Sequence, residues 1–213
     1  MTGIAGRLPL AAVMEFLSAR RPVFHSEADF QFEFARAVVA LDDSIDIRLE
    51  VPKRTETART YVDLVCVGDR TSLIEFKYVT RSWQGHDGRT PEKFDLRSHE
   101  ALDLARLHFI HDVTRLEGWV ATDANTDGFA VFLTNDSRLW GRPSTSRVTR
   151  DQAFRLHQDR TLSGDLRWGT PEKRYPRNDR PLRGTYTADW CDYGTLDDKP
   201  GGTLRWMGWH VTS

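Results

Sequence analysis

Residues 61–81, YVDLVCVGDRTSLIEFKYVTR, constrain the fold more than any other segment of the chain. Two apolar runs rich in β-branched and aromatic residues flank a Gly-Asp-Arg turn at 68–70, which predicts a β-hairpin. Three ionic side chains, Asp63, Glu75 and Lys77, interrupt these runs. Charges in an apolar hairpin need a compensating partner, so the segment predicts a site as well as a fold.

The hairpin register brings these charges together. Side chains alternate along a strand, so Glu75 and Lys77 point the same way. A three-residue loop places Val67 opposite Thr71, and the same register pairs Asp63 with Glu75. A solvated hairpin face with an exposed ion pair is the alternative, but the apolar flanks favour a buried site.

Opposed carboxylates destabilise a strand pair, and a hard divalent cation would offset the repulsion. Mg²⁺ prefers oxygen ligands, keeps several waters and takes one or two carboxylates plus substrate phosphate oxygens. We expect Asp63, Glu75 and the backbone carbonyl of Phe76 to hold it, with Mn²⁺ able to substitute. Lys77 would lie beside the bound water, where it can orient the water or hold the phosphate. These are the groups that phosphodiester hydrolysis requires.

The other elements follow from helical or strand periodicity and from turn residues. The first half is predicted to contain a helix at 10–19, a second helix capped by Ser26 and Asp29, strands at 45–51, 61–67 and 72–79, a polar stretch at 81–93, a helix from about 96 to 117 ended by Gly118, and a buried strand at 128–134. The second half is predicted to contain a short helix at 136–141, a strand at 162–168, a Pro- and Arg-rich loop at 169–183, and strands at 184–193 and 203–211.

Asp63 followed by Glu75-Phe76-Lys77 resembles the Asp…(Asp/Glu)-x-Lys signature of the PD-(D/E)XK nuclease superfamily. The element order resembles its αβββαβ core, and the stretches FHSEADFQ and IEFKY are similar to uncharacterised prokaryotic members. Val62 stands where the signature has proline. The resemblance covers residues 24–135 of a single predicted domain, 1–213, and leaves 136–213 as a C-terminal elaboration.

The resemblance implies an α+β (α/β/α), restriction-endonuclease-like fold, with a mixed central sheet flanked by helices and extra C-terminal strands. It further implies a Mg²⁺-dependent DNA endonuclease that acts in restriction, defence or repair. A homodimer is a further hypothesis from the resemblance. An acidic residue on the helix before the sheet often assists, and Glu27 matches that position. The helix macrodipole alone also favours an acid there, and Glu33 is the substitute candidate.

Basic and aromatic residues outside the hairpin are candidates for nucleic-acid contacts. The candidates are Arg81, Trp83, Arg89 and Lys93 after the catalytic strand, Arg106 in the long helix, and Arg138 and Arg142 in an acid-free run. The loop residues could instead form an ordinary mobile loop. Arg106, Asp112 and Arg115 are predicted to share a broad polar face of the long helix, where contacts among themselves or with water are the alternative to a phosphate contact from Arg106. Packing is the alternative for His25.

Composition narrows the class of protein without selecting a substrate. The net charge is -1, 39% of residues are hydrophobic, and the apolar runs are too short to cross a bilayer, which predicts a cytoplasmic protein with no membrane partner. Two widely spaced cysteines predict reduced thiols. A nuclease acting on RNA or branched DNA, or a catalytically silent nucleic-acid-binding or protein-interaction module, remains open.

Overall fold

The computed structural model describes residues 3–54, 59–143 and 147–213, and within them six strands form a central sheet in the order β1-β2-β3-β6-β10-β9. The helices are α1 (Leu10–Ser18), α2 (Glu27–Leu41), α3 (Leu102–Val120) and α4 (Ser137–Trp140), with 3₁₀ turns at Gln152–Phe154 and Pro176–Asn178. The strands are β1 (Asp46–Arg54), β2 (Arg59–Val67), β3 (Thr71–Val79), β4 (Trp83–His86), β5 (Lys93–Leu96), β6 (Thr126–Thr134), β7 (Thr161–Leu166), β8 (Arg180–Thr187), β9 (Cys191–Thr195) and β10 (Thr203–Val211). No helix among the described residues is long and apolar enough to cross a membrane.

The central sheet is mixed. β1, β2 and β3 pair antiparallel, β3 and β6 pair parallel, and β10 pairs antiparallel with both β6 and β9. A parallel pair needs a long crossover connection, and α3 lies between β3 and β6 in the chain. The predicted α+β class, with a mixed central sheet flanked by helices, is confirmed.

Two apolar clusters cover the two faces of the sheet. Phe30 and Phe34 of α2 pack with Phe76 on one face, where the Phe30 and Phe76 ring centroids are 5.1 Å apart. Phe109 of α3 packs against Phe132 on the other face, with centroids also 5.1 Å apart. Every residue of β6 is buried, as expected for a central strand covered on both faces.

The start of α2 follows the sequence prediction. The Ser26 side chain accepts a hydrogen bond from the Asp29 backbone N–H at 3.2 Å. This contact satisfies one of the free N–H groups in the first helical turn, so α2 begins at Glu27. Glu27 is thereby held at the end of the helix that faces β3.

The region between β3 and α3 differs from the prediction. The polar stretch forms strand β4, which pairs with β5, so the long helix begins at Leu102 rather than near residue 96. Phe94 and Leu96 alternate as in a strand and are buried with Trp83, which explains why this segment is not helical. Gly118 does not end α3, because the helix continues to Val120, a buried residue of the cluster beneath α3.

The C-terminal strands divide between two sheets. The segment predicted as one strand at 184–193 is split, because β8 pairs with β7 whereas β9 pairs with β10. The predicted loop at 169–183 ends inside β8. Since β10 also pairs with β6, the C-terminal elaboration extends the central sheet.

Glu117 attaches the β7–β8 pair to α3. Its buried carboxylate accepts hydrogen bonds from the backbone N–H groups of Arg183 and Gly184 and from the Tyr186 hydroxyl, at 2.7 to 3.1 Å. A buried carboxylate with several donors holds two elements in one geometry.

Replacing Glu117 by alanine leaves those donors without an acceptor, so we expect Glu117→Ala to lower the free energy of unfolding by about 3 kcal/mol. Urea denaturation followed by circular dichroism measures this change. Glu15→Ala, at an exposed position of α1, is the matched control. Equal stability of the two variants would contradict the anchoring role.

Candidate active site

The β2–β3 hairpin has the predicted register but stops pairing early. Val67 lies opposite Thr71, and the ladder continues to Leu64 opposite Ile74, where it ends. Asp63 and Glu75 would form the next pair. The first part of β2 pairs with β1 alone, so β2 diverges from β3 at Asp63.

The alternation of side chains along β2 is interrupted at the same point. Val62 and Leu64 lie two residues apart yet pack in clusters on opposite faces of the sheet. In β1, Leu49 and Val51 pair with residues of β2, whereas Glu50 between them does not. Glu50 adopts a φ of 52°. A positive φ is uncommon for a residue other than glycine and marks a local distortion of the strand. The irregularity in both strands accompanies the divergence of β2.

Two carboxylates occupy the gap that β2 leaves. Asp63 Oδ2 accepts a hydrogen bond from the Phe76 backbone N–H at 2.8 Å, and Glu27 Oε2 accepts one from the Tyr78 N–H at 2.7 Å. These side chains replace the backbone acceptors that β2 would have supplied. Because the N–H and C=O of one strand residue point toward the same neighbour, the Phe76 carbonyl also faces the gap.

Lys77 is held between two further acids. Its Nζ lies 3.6 Å from Glu27 Oε1 and 3.6 Å from Asp112 Oδ2. The structure therefore brings Glu27, at the start of α2, to the predicted lysine. Glu33, the substitute candidate, instead pairs with Arg36 at 3.0 Å.

Glu75 is 3% exposed and faces Arg115 of α3, whose Nη2 lies 2.8 Å from Glu75 Oε1 and 3.1 Å from Asp112 Oδ1. The Arg115–Glu75 contact is close but poorly aligned, so this buried Glu75 oxygen has no hydrogen bond. Sequence reasoning assigned Asp112 and Arg115 to a polar surface of the helix. They point at the sheet instead, beside the buried Val113. An acid and a base three residues apart among buried apolar positions were the available signal.

Burial and, to a smaller extent, the neighbouring Asp63 charge raise the pKa of Glu75 to about 9, although Arg115 opposes both effects. Burial also raises the pKa of Asp63, partly offset by its hydrogen bond from Phe76. Both predicted metal ligands therefore lie where negative charge is unfavourable unless a cation is present.

For Lys77, the charges of its neighbours affect the pKa more than burial does. Burial alone lowers the pKa of Lys77, but the surrounding carboxylates outweigh it and raise the pKa above its ordinary value. Burial raises the pKa of Asp112 to about 6, while Lys77 and Arg115 oppose the shift. Lys77 therefore keeps its proton at neutral pH.

Asp63, Glu75 and the Phe76 carbonyl are the groups whose oxygen atoms could serve as ligands for a hard cation. The Glu75 oxygen Oε1 has no hydrogen bond, and the Arg115 guanidinium lies 2.8 Å from it. In the described ranges no group of three His, Cys, Asp or Glu side chains is arranged to hold a metal ion. The donor set suits Mg²⁺, which binds through one or two carboxylates and keeps several waters.

The predicted nucleic-acid contacts after β3 are retained only in part. The side chains of Arg81, Arg89 and Lys93 are exposed. Trp83 is 4% exposed, packs with Phe94 and donates its Nε1–H to Asp197 at 3.1 Å. Its ring is not available to stack on a base, so that prediction is wrong.

The other predicted basic contacts lie elsewhere. Arg106 is largely buried, with Nη1 2.7 Å from Asp151 Oδ2 and Nη2 donating to the Arg138 carbonyl, so it is not an exposed phosphate ligand. Arg106, Arg138 and Arg142 line a cavity whose walls do not include the β2–β3 gap.

His25 packs rather than lining the gap. Its ring stacks on Phe94, with centroids 4.4 Å apart, and its Nε2 lies 2.8 Å from Glu92 Oε1. The packing alternative from the sequence therefore describes His25.

A scan against protein-family models, a search of curated proteins and a search of solved structures each found no match. The argument for function therefore depends on the geometry of the gap.

Glu75 gives the site a measurable signature in metal-free protein. Its folded-state pKa, about 9, exceeds its ordinary value of 4.5, so the folded state favours the protonated acid. We expect the free energy of unfolding in EDTA to fall as pH rises from about 5 to about 9, and Glu75→Gln to reduce this fall. Urea denaturation across that range tests it, with Glu33→Gln as control. Parallel pH profiles for wild type and Glu75→Gln would contradict the raised pKa.

Proposed function

We propose that this chain is a PD-(D/E)XK-type nuclease that hydrolyses DNA phosphodiester bonds with Mg²⁺. The observation that carries the proposal is the gap between β2 and β3, where Asp63 and Glu75 lie beside Lys77 and Glu27 contacts the lysine. Two acids, of which Glu75 is buried and Asp63 half-buried, and a protonated amine are the groups that metal-assisted phosphoryl hydrolysis requires.

The element order supports a restriction-endonuclease-like core. α2, then β1, β2 and β3, then α3 and β6 give the order αβββαβ, with β3 and β6 parallel. The proposed catalytic residues come from α2, β2 and β3, where two adjoining strands separate. The proposed similarity to a restriction-endonuclease-like core therefore rests on the topology and on the Asp…Glu-x-Lys spacing.

In the proposed mechanism, Asp63, Glu75 and the Phe76 carbonyl would hold Mg²⁺ or Mn²⁺, and Glu27 would add a ligand directly or through water. When bound, the metal ion lowers the pKa of water and stabilises the charge that develops on the phosphate. Lys77 keeps its proton, so it donates hydrogen bonds that orient the water or hold the phosphate rather than acting as the base.

Asp112 and Arg115 position the catalytic groups. Asp112 lies as close to the Lys77 amine as Glu27 does, at 3.6 Å, and Arg115 contacts both Glu75 and Asp112. Arg115 also offsets part of the raised pKa of Glu75, which keeps this acid closer to its metal-binding form.

DNA is the proposed partner, with the exposed side chains of Arg81, Arg89 and Lys93 as backbone contacts near the carboxyl end of β3. One such site cuts one strand, so we propose a homodimer for double-strand cleavage. A cytoplasmic location and a role in restriction, defence or repair remain part of the proposal.

Cleavage of plasmid DNA and labelled oligonucleotides with Mg²⁺ or Mn²⁺ tests the function. We expect Lys77→Ala and Asp63→Asn each to reduce the cleavage rate at least about 100-fold, because the first removes the amine that orients the water or the phosphate and the second weakens the proposed metal site. EDTA should abolish cleavage. Lys199→Ala, which removes an exposed lysine paired with Asp197, should leave the rate unchanged.

Two results would change the proposal. Cleavage that persists in EDTA and in Lys77→Ala would exclude the mechanism. RNA and branched DNA in the same assay decide the substrate, and binding of all these polynucleotides without cleavage would favour the catalytically silent module.

The role of Glu27 is tested by two matched variants of acidic residues on the same helix. We expect Glu27→Gln to reduce the cleavage rate about tenfold or more, because the neutral amide weakens both the Lys77 contact and any metal ligation. Glu33→Gln, six residues along α2, should have no effect, since Glu33 pairs with Arg36. Equal rates for the two variants would remove Glu27 from the mechanism.

A further inference from the structure

A second cavity, of about 670 Å³, lies outside the β2–β3 gap. The first turns of α3, helix α4 with its following loop, and the segment around the Gln152–Phe154 turn form its walls. Its charged lining has more bases than acids: the arginines are Arg106, Arg138, Arg142, Arg150 and Arg155, and the acids are Glu100, Asp103 and Asp151. A cavity lined this way favours an anionic ligand.

Some of these arginines pair with a carboxylate, and others do not. Arg106 pairs with Asp151 at 2.7 Å, Arg150 with Asp103, and Arg138 with Asp136. Arg142 and Arg155 have no carboxylate within ion-pair distance among the described residues, and Arg155 donates only to Thr149 Oγ1 at 2.9 Å. Two guanidinium groups at this cavity are therefore free to pair with a bound anion.

The guanidinium groups also lie close enough to repel one another. Burial lowers the pKa of Arg106, Asp151 opposes this shift, and Arg155 lowers the pKa further. Arg155 likewise adds to the effect of burial in lowering the pKa of Arg160. A bound anion would relieve this repulsion, and the planar guanidinium matches phosphate geometry through paired hydrogen bonds.

The rest of the cavity is larger than a phosphate group needs. Small-molecule sites occupy about 300–1,000 Å³, and the cavity falls inside this range. Leu139 and Pro143 supply apolar surface, and His157 supplies an aromatic ring. A sugar and a base would fit beside a phosphate held by Arg142 and Arg155.

We propose that this cavity binds a nucleotide phosphate monoester, either a free mononucleotide or the phosphorylated end of a polynucleotide. The phosphate follows from the unpaired arginines, whereas the nucleotide rests on the proposed nuclease function. The cavity recognises the phosphate of its ligand and takes no part in cleavage.

The experiment measures binding by the full chain in EDTA, where metal-dependent cleavage is absent. The probes are an internally labelled oligonucleotide with 5′-phosphate, 3′-phosphate or hydroxyl ends, deoxyadenosine monophosphate against deoxyadenosine, and inorganic phosphate. Arg142→Gln and Arg155→Gln remove the unpaired charges without breaking an ion pair. Arg20→Gln, at an exposed position two residues after the end of α1, is the matched control.

We expect a phosphorylated end or mononucleotide to bind about tenfold or more tightly than its hydroxyl counterpart, a difference typical of charge-assisted hydrogen bonds. Arg142→Gln and Arg155→Gln should abolish this preference, and Arg20→Gln should retain it. Monophosphate binding as tight as that of the phosphorylated oligonucleotide identifies a free nucleotide as sufficient.

Equal binding of phosphate- and hydroxyl-ended probes by the wild-type chain overturns the proposal without reference to any variant. An equal loss of the preference in Arg20→Gln also overturns it. Phosphate preference without cleavage of any polynucleotide supports the cavity while the nuclease proposal fails. Cleavage without phosphate preference rejects the cavity alone.

Discussion

The separation of β2 from β3 at Asp63 is the constraint on which the site depends. A strand that loses its neighbour exposes backbone N–H groups that need acceptors, and an unmet donor in a buried position is destabilising. Here the carboxylates of Asp63 and Glu27 accept the N–H groups of Phe76 and Tyr78. The backbone opening and the position of two proposed catalytic acids are therefore one structural feature.

The central sheet lets this opening form without loss of the core. On its other edge β3 pairs with β6 along its whole length, from Thr71 to Val79. Phe76 remains packed between Phe30 and Phe34 of α2, with ring centroids 5.1 and 4.9 Å away. β3 is thus fixed by β6 and α2, and the charged residues on its other face can be held against α3.

The sequence predicted which side chains of β3 share a face and the register of the β2–β3 hairpin. The alternation of side chains along a strand determines the first, and the three-residue loop determines the second. It did not predict that the ladder ends at Leu64, since hydrophobic alternation carries no information about where hydrogen bonding stops. The buried Trp83 donates a hydrogen bond to Asp197, which is 114 residues away in the chain, so local sequence patterns could not reveal this contact. Asp112 and Arg115 were misassigned because polar residues at helical spacing face either solvent or a partner, and only tertiary packing decides which.

The charge balance of the gap bears on how the proposed substrate would enter. Among the described residues, the four acids Asp63, Glu75, Asp112 and Glu27 lie beside two basic residues, Lys77 and Arg115. The pKa of Glu75 is raised because its negative charge is buried among other acids. Under the proposed function, an anionic phosphodiester approaching this gap without a cation would meet repulsion in a region of low dielectric. Lys77 could not offset that repulsion alone, since its charge is already shared between Glu27 and Asp112. Under the proposed function, cation binding would therefore precede productive phosphate binding. The contacts of Lys77 with Glu27 and Asp112, and those of Arg115 with Glu75 and Asp112, keep the lysine and the arginine in position.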